Sequence, residues 1–329
     1  MRIFLTGGTG FIGGRVAEML RERGDEVVAL SRSPEKEGRL REMGAEIARG
    51  DITERESMRE PMRAVDAVLH VAAWYRTGAL RKDRETAERI NVDGTRNVLE
   101  LMRELEIPKG VYTSTVAVFS DTKGEVVREG YRHEGRHITL YDETKARAQH
   151  AVAEPMMEAG LPLVILQPGM VYGPGDTGPM ADTFRLWLRR RLPAIPRSTV
   201  FCWSHVDDVA RIHIDALVRG RPGESYIVTG PAHSMAEAFE IAGEVAGRRP
   251  PPIRIPAAVQ KGMALGSRLV EWALPLPEQY RSEALRTSAG TTYLGDPGKA
   301  RGELGWSPRP LREGFGETIP AWMEEVGAG

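Results

Sequence analysis

The stretch Thr6-Gly-Gly-Thr-Gly-Phe-Ile-Gly-Gly14 follows at once on the apolar run Arg2-Ile-Phe-Leu5 at the head of the chain. A buried-type strand that feeds directly into several glycines and then into a helical pattern leaves few choices of fold. Gly8, Gly10 and Gly13 fit G-x-G-x-x-G, in which glycines permit a tight turn, close backbone approach to a pyrophosphate and close packing of helix on strand. A helix beginning near Phe11 points free N–H groups at such an anion. The alternative is an ordinary strand-to-helix turn, and the placement directly after an N-terminal strand favours the dinucleotide site.

The next 160 residues repeat the same alternation of short apolar runs with helical patterns. Strands are expected at Arg2–Thr6, Glu26–Leu30, Glu46–Ala48, Ala67–Val71, Gly110–Ser114 and Leu163–Gln167, with helices at Phe11–Arg23, Glu35–Met43, Glu54–Met62, Arg84–Leu105 and Tyr141–Ala159. This is the signature of a parallel sheet covered on both faces. After Pro168 the chain becomes rich in glycine and proline, then helical again at Phe184–Arg191. A helix over Asp207–Leu217, with Asp207 or Asp208 as N-cap, and a strand over Ser225–Val228 return the chain to the sheet. The expected architecture is α/β: a Rossmann-type doubly wound parallel sheet with a smaller, discontinuous C-terminal substrate lobe. Residues 1–168 plus about 206–230 form the cofactor-binding domain in this reading, and 169–205 plus 231–329 the substrate lobe. Ala257–Leu274 is an apolar-rich helical pattern read either as a lid over the substrate or as a packing helix.

Composition narrows the partners. A chain of 329 residues with 45 Lys+Arg against 46 Asp+Glu carries no global field for nucleic acid or an anionic membrane, so a small-molecule substrate is expected. Cys202 is the single cysteine, which excludes an internal disulfide and suits a reducing cytoplasm. No uncharged apolar run approaches membrane-spanning length, and the N-terminus has no signal-peptide pattern. A soluble cytoplasmic protein is expected.

About 20 residues beyond the glycine loop, an NAD site places a carboxylate on the adenosine ribose. Here that position reads Leu30-Ser31-Arg32-Ser33, with no carboxylate. The Arg32 guanidinium can grip a 2′-phosphate, with Ser31, Ser33 and Lys36 as further donors, so NADP(H) is preferred and NAD(H) remains the alternative.

Tyr141-Asp-Glu-Thr-Lys145 sets a phenol and an ammonium four residues apart, on one helical face. A nearby cation favours tyrosinate and brings a phenol towards acid/base work on a carbonyl or an alcohol. With only seven lysines in the chain the coincidence gains weight, and its place after the fifth strand, whose end Tyr112-Thr-Ser-Thr115 brings hydroxyls to the carboxyl edge, adds more.

Together these residues resemble the extended branch of the short-chain dehydrogenase/reductase superfamily, the NAD-dependent epimerase/dehydratase family, over almost the whole chain. The likeness includes the Gly7, Gly10, Gly13 loop, Gly50-Asp-Ile52, His70-Val-Ala-Ala73, Asn91-Val-Asp-Gly-Thr95, Gln167-Pro-Gly-Met-Val-Tyr-Gly-Pro174, Ser204-His-Val-Asp-Asp-Val-Ala210 and Lys299-Ala-Arg-Gly-Glu-Leu-Gly-Trp306. The resemblance implies Tyr141 as acid/base, Lys145 on the nicotinamide ribose, and Thr115 holding the reacting oxygen with Ser114 structural. It implies cofactor contacts from Gly7, Gly10, Phe11, Ile12, Gly13, Ser31, Arg32, Asp51, Ile52, Val71, Ala72, Ala73, Lys145, Pro168 and Val171. Asn91 supports the helix. The dehydratases of this branch carry an Asp-Glu pair after the threonine, where this chain has Val116-Ala117, and many epimerases carry an Asn where this chain has Met170.

What remains resembles the dihydroflavonol-4-reductase-like and hopanoid-associated epimerase-like group, which implies hydride transfer between a nicotinamide and a ketone, aldehyde or secondary alcohol. A sugar epimerase and a non-catalytic NADP(H) sensor are the alternatives. Relatives also dimerise through the fourth and the Tyr/Lys helices, so Ile90, Val92, Val98 and Leu99 are read as interface or core, and the resemblance favours a homodimer. No metal site is expected: His133 and His137 sit in a glycine-bearing loop, and His205, Asp207 and Asp208 read as capping and pairing groups. Trp74 and Tyr75 are read as pocket lining or core.

Overall fold

The computed structural model describes residues 1–271, 274 and 276–327. Its strands are β1 (Arg2–Thr6), β2 (Glu26–Ser31), β3 (Glu46–Arg49), β4 (Ala67–His70), β5 (Gly110–Thr113), β6 (Leu163–Pro168), β7 (Met170–Tyr172), β8 (Ala194–Pro196), β9 (Val200–His205), β10 (Ser225–Val228), β11 (Ala232–Ser234), β12 (Ile253–Ile255) and β13 (Thr292–Tyr293). Seven of them form one parallel sheet in the order β10-β6-β5-β4-β1-β2-β3. The strand order reverses between β1 and β4, and ligands of open α/β sheets bind beyond the carboxyl ends at such a switch point. The expected doubly wound sheet is therefore present, with every expected strand within one or two residues.

Both faces of this sheet are apolar because its strands are buried on both sides. One face carries Ile3, Leu5, Val27, Leu69 and Val111 against the helices Phe11–Glu22 and Val206–Arg219. The other carries Phe4, Val28, Val68 and Ile165 against Val98, Leu99, Met102 and Val152. Val92, Val98 and Leu99 are thus buried within the single chain. The second layer is a smaller sheet, β11-β9-β13 with β7 beside β9, and a two-stranded β12-β8 pair. An aromatic cluster of Phe184, Trp187, Phe201, Trp203, Phe239, Phe315 and Trp322 fills its core.

Four local expectations change. The 35–43 segment is a short 3-10 turn, Pro34–Lys36, followed by a helix only over Gly38–Glu42, because Pro34 starts one turn and Gly38 interrupts the run. The helix expected from Phe184 begins earlier, at Pro179, where a proline at the first position costs no hydrogen bond. The helix of 206–219 is capped by His205, whose Nδ1 accepts the Asp207 N–H, so Asp207 and Asp208 lie inside the first turn rather than at the cap. The long helices of 84–104 and 140–158 each contain one wide π turn, Arg89–Asp93 and Gln149–Ala153. The Ala257–Leu274 pattern is helical over Ala257–Val270, and residues 272 and 273 lie outside the described residues.

Candidate active site

The carboxyl ends of β1, β2, β4, β5 and β6 open into a single long cleft of about 1020 Å³. The expected acid/base and cofactor-contact residues line it: Gly7, Gly10, Phe11, Ile12, Gly13, Ser31, Arg32, Asp51, Ile52, Val71, Ala72, Ala73, Thr115, Tyr141, Lys145, Pro168 and Val171; Gly8 and Asn91 are not among its lining residues.

The glycine turn forms one end. Gly7 has a φ of +76°, and a Cβ there would stand 2.7 Å from the Ala72 nitrogen. A Cβ on Gly13 would lie 2.1 Å from the Gly7 carbonyl oxygen, whereas one on Gly8 would first meet a Leu5 methyl at 3.2 Å. The backbone constraint therefore falls on Gly7 and Gly13, so the spacing Gly7, Gly10, Gly13 describes the loop better than one starting at Gly8. Gly10 caps the helix without a side chain, leaving the first-turn N–H groups directed at the cleft. Thr6 locks the turn to β4, its Oγ1 bonding His70 Nδ1 at 2.7 Å and accepting the Ala72 N–H at 3.2 Å. A phosphate-bearing dinucleotide fits this cradle.

The end of the cleft beside β2 contains a residue that the sequence pattern does not announce. Ser31 Oγ donates to Glu37 Oε1 at 2.8 Å, so the turn after β2 folds a carboxylate back into the position that had looked empty of one. Arg32 and Lys36 also line this end and are exposed, and Arg32 has no carboxylate partner among the described residues. No sequence spacing announces Glu37, because the Pro34–Lys36 turn alone brings it round.

At the other end the Tyr141 ring meets the Tyr75 ring edge-on, with centroids 4.8 Å apart. Burial, reinforced by Tyr75, Tyr112 and Asp142, raises the Tyr141 phenol well above its usual range, and a hydrogen bond with Thr115 opposes this. Lys145 Nζ donates to Tyr112 Oη and to the Thr113 carbonyl, both at 2.8 Å, and burial pushes its pKa down to about 7. The expected cation-assisted lowering of the Tyr141 phenol is absent here, because Lys145 is turned towards Tyr112 and burial penalises both charged forms. Thr115 Oγ1 accepts the Ala117 N–H at 3.1 Å, while Ser114 Oγ is engaged by Gln149 at 2.6 Å. Asn91 pins the neighbouring wall: its Oδ1 accepts the Trp74 N–H at 2.7 Å, and its Nδ2 donates to the Trp74 carbonyl and Thr144. Trp74 and Tyr75 both line the cleft.

Asp142 was not anticipated. It is buried beside Tyr141, accepts from Thr139 Oγ1 at 2.6 Å and from Tyr293 Oη at 3.1 Å, and faces the cleft. Burial raises its pKa from 3.8 to about 7, against those two hydrogen bonds and with the Glu283 charge adding to the rise. The folded chain therefore holds this proton in a range where the unfolded chain has lost it. The associated stability is complete below about pH 4 and is lost as pH rises through about 7. Asp142→Asn is expected to raise stability at pH 8 by about 1–3 kcal/mol, with the gain shrinking towards pH 4. Thermal unfolding at both values checks this, and a gain independent of pH would refute the assignment.

Among the described residues, His205, Asp207 and Glu317 can bring ligand atoms within 4.8 Å of one another. Arg15 binds Asp207 at 2.6 Å and Arg309 binds Glu317 at 3.0 Å, so these carboxylates already neutralise guanidinium groups. His133 and His137 approach each other, ring centroids 5.0 Å apart, in an irregular loop.

The family model for the NAD dependent epimerase/dehydratase family matches residues 3–229. The chain is 32% identical to a 4-hydroxy-2-methyl-3-oxo-4-farnesyl-3,4-dihydroquinoline-1-oxide ketoreductase of Stigmatella aurantiaca, over 94% of this chain and 92% of the relative. It is 29% identical to sterol demethylase protein B of Methylococcus capsulatus, over 99% of each. Among solved structures it is similar to gox2253, with a TM-score of 0.84 and 30% identity over 99% of this chain and 98% of the other. The UDP-glucose 4-epimerase of Thermotoga maritima, at 22% identity with a TM-score of 0.78 over 99% and 100%, shares the fold.

Proposed function

The chain belongs to the NAD-dependent epimerase/dehydratase family, as an NAD(P)-dependent enzyme of the extended short-chain dehydrogenase/reductase type, and we propose that it is an NADP(H)-dependent reductase of bulky, apolar ketones. The observation that carries this reading is the joining of Thr115, Tyr141 and Lys145 to the glycine turn in one cleft whose far end offers the apolar side chains of Trp74, Val116, Met170, Met180 and Phe201 beside Asp142 and Asp176. No charged clamp for a sugar diphosphate stands at Met170. The relative acting as a ketoreductase on a farnesyl-bearing ring, and the one named for sterols, support an apolar cyclic substrate.

A bound nicotinamide supplies the hydride. The residues of the chain do the rest. Tyr141, held protonated by burial, gives its proton to the carbonyl oxygen only as that oxygen becomes a strongly basic alkoxide, which suits reduction. Thr115 holds the same oxygen from the opposite side. Lys145 binds the ribose from one turn along the helix, and the first-turn N–H groups after Gly10 hold the pyrophosphate. The reverse oxidation needs tyrosinate and is favoured at alkaline pH. Residues 1–168 with about 206–230 carry the cofactor in this scheme, and 169–205 with 231–329 shape the substrate end.

Consumption of NADPH with hydrophobic cyclic ketones, followed by the loss of nicotinamide absorbance, tests the reading. A substrate converted with flat absorbance would replace it with an epimerase. The cofactor preference is tested separately. Arg32→Asp is expected to weaken NADPH binding about 10- to 100-fold, the size of a lost charge-assisted contact, and to leave NADH within about threefold. Glu37→Gln, by removing a negative charge from the same end, should strengthen NADPH. Fluorescence titration of both variants decides this, and equal effects of Arg32→Asp on the two cofactors would overturn the 2′-phosphate role.

A further inference from the structure

The helix Ala257–Val270 turns the usual pattern of a surface helix inside out. Its covered side is small and polar: Gln260 and Ala264 are buried, Ser267 is half-buried, and Gln260 Nε2 donates to Ser288 Oγ at 3.2 Å. Its outer side carries Val259, Met263, Leu265, Leu269 and Val270, with Leu265 66% and Leu269 74% exposed. At 100° per residue these fill one broad face opposite Gln260 and Ala264, and the helix contains no acidic residue. Such a face has the wrong polarity for water.

The unpaired charges around it are of one sign among the described residues. Lys261 and Arg268, seven residues apart and so on one side of the helix, border the Leu265–Leu269 stripe, and Arg197 donates its backbone N–H to Ile255 just ahead of the helix. Arg189, Arg190 and Arg191 lead into β8, which pairs with β12. All six cations are exposed, and none has a carboxylate partner among the described residues. The nearby acids are committed elsewhere: Glu240 pairs with Arg254, Glu271 bonds Ser282, and Glu278 pairs with Arg76.

We propose that this helix is a membrane-docking element that lays its apolar face into the interface of an anionic bilayer, with Lys261, Arg268 and Arg197 on the lipid headgroups. An apolar face bordered by unpaired Lys and Arg is the composition of interfacial helices, and anionic lipids attract each such cation. A second copy of the chain fits less well. A two-fold interface sets the same patch against itself, and the unpaired cations would then face one another without acids between them. The balanced total charge of the chain gave no hint of this, because the asymmetry is local. Docking would also orient the cleft: Glu278, eight residues beyond Val270, shares a pocket lining with Trp74, Tyr75 and Pro179, which also line the cleft.

Flotation of the whole protein with phosphatidylcholine vesicles, with and without phosphatidylglycerol, tests the proposal without any turnover, so it stands or falls independently of the ketone-reductase reading. Binding is expected only where phosphatidylglycerol is present and should fall steeply with added salt. Leu265→Glu with Leu269→Glu should abolish it, and Lys261→Glu with Arg268→Glu should weaken it about tenfold or more, with NADPH binding retained as the sign of folding. Failure to float with anionic vesicles overturns the proposal. So does binding unchanged in both double variants, or a dimer in sedimentation that Leu265→Glu/Leu269→Glu dissociates while the parent ignores vesicles.

Discussion

Tyr141→Phe is expected to lower kcat for ketone reduction by about 10² to 10⁴, with KM nearly unchanged. The substitution removes one hydroxyl and keeps the ring, so the edge-on contact with Tyr75 survives and the fold has no reason to change. What disappears is the phenol proton that burial holds in place and that the hydrogen bond with Thr115 orients. The remaining groups cannot replace it. Thr115 Oγ1 is committed to the Ala117 N–H, Asp142 to Thr139 and Tyr293, and Lys145 to Tyr112 and the Thr113 carbonyl. Steady-state rates across pH read the outcome. Because burial keeps the Tyr141 phenol protonated, the parent should show no alkaline loss of reduction from this group, and the deficit of the variant should be the same across the pH range. Undiminished turnover would remove Tyr141 from the mechanism.

Gly13→Ala is expected to weaken NADPH binding by 100-fold or more, on the order of 3 kcal/mol, and to destabilise the chain by about 1–3 kcal/mol. The new methyl would stand 2.1 Å from the Gly7 carbonyl oxygen, and both partners are backbone, so no side chain can swing away. Relief requires the helix to move off β1, which carries its first-turn N–H groups away from the phosphates. Gly14→Ala is the control. Its methyl would meet the Gly8 oxygen at 3.4 Å, an ordinary contact, and alanine is the better helix former. Thermal unfolding and cofactor titration of the pair separate a local clash from a general intolerance of alanine in this helix. Equal behaviour of the two variants would refute the argument.

Much of this molecule is written in local pattern. Runs such as Ile3–Leu5 and Leu163–Leu166 are apolar throughout because both sheet faces are covered, and that shows without any partner known. Gly7, Gly13, Thr115, Tyr141 and Lys145 are likewise legible, since a steric turn and a one-turn helical spacing are short-range facts. The unread features are contacts between distant segments or consequences of burial. Asp142 meets Tyr293 151 residues later, and no periodicity couples those positions. Lys145 was expected to act on Tyr141, yet it reaches Tyr112 on the strand beneath, and burial reverses the sign of the effect on the phenol. Glu37 depended on a proline turn that pattern reading had smoothed into a helix. The helix Ala257–Val270 illustrates the deepest limit: an apolar stripe says that something should cover it, and the chain itself covers the other side.

The short strand β13 also fixes an order of events in time. Tyr293 closes the cleft against Asp142, and its neighbour Thr292 bonds Asp121 and Thr122, all near the carboxyl edge built by the first half of the chain. The seven-stranded sheet is complete once β10 has been made, so the ribosome can deliver a folded cofactor half while the closing strand is still being synthesised. The substrate end must wait for it. A nascent chain that has emerged from the ribosome only as far as Val228 has all seven sheet strands and the glycine turn available, while the Tyr293 wall that buries Asp142 is still missing.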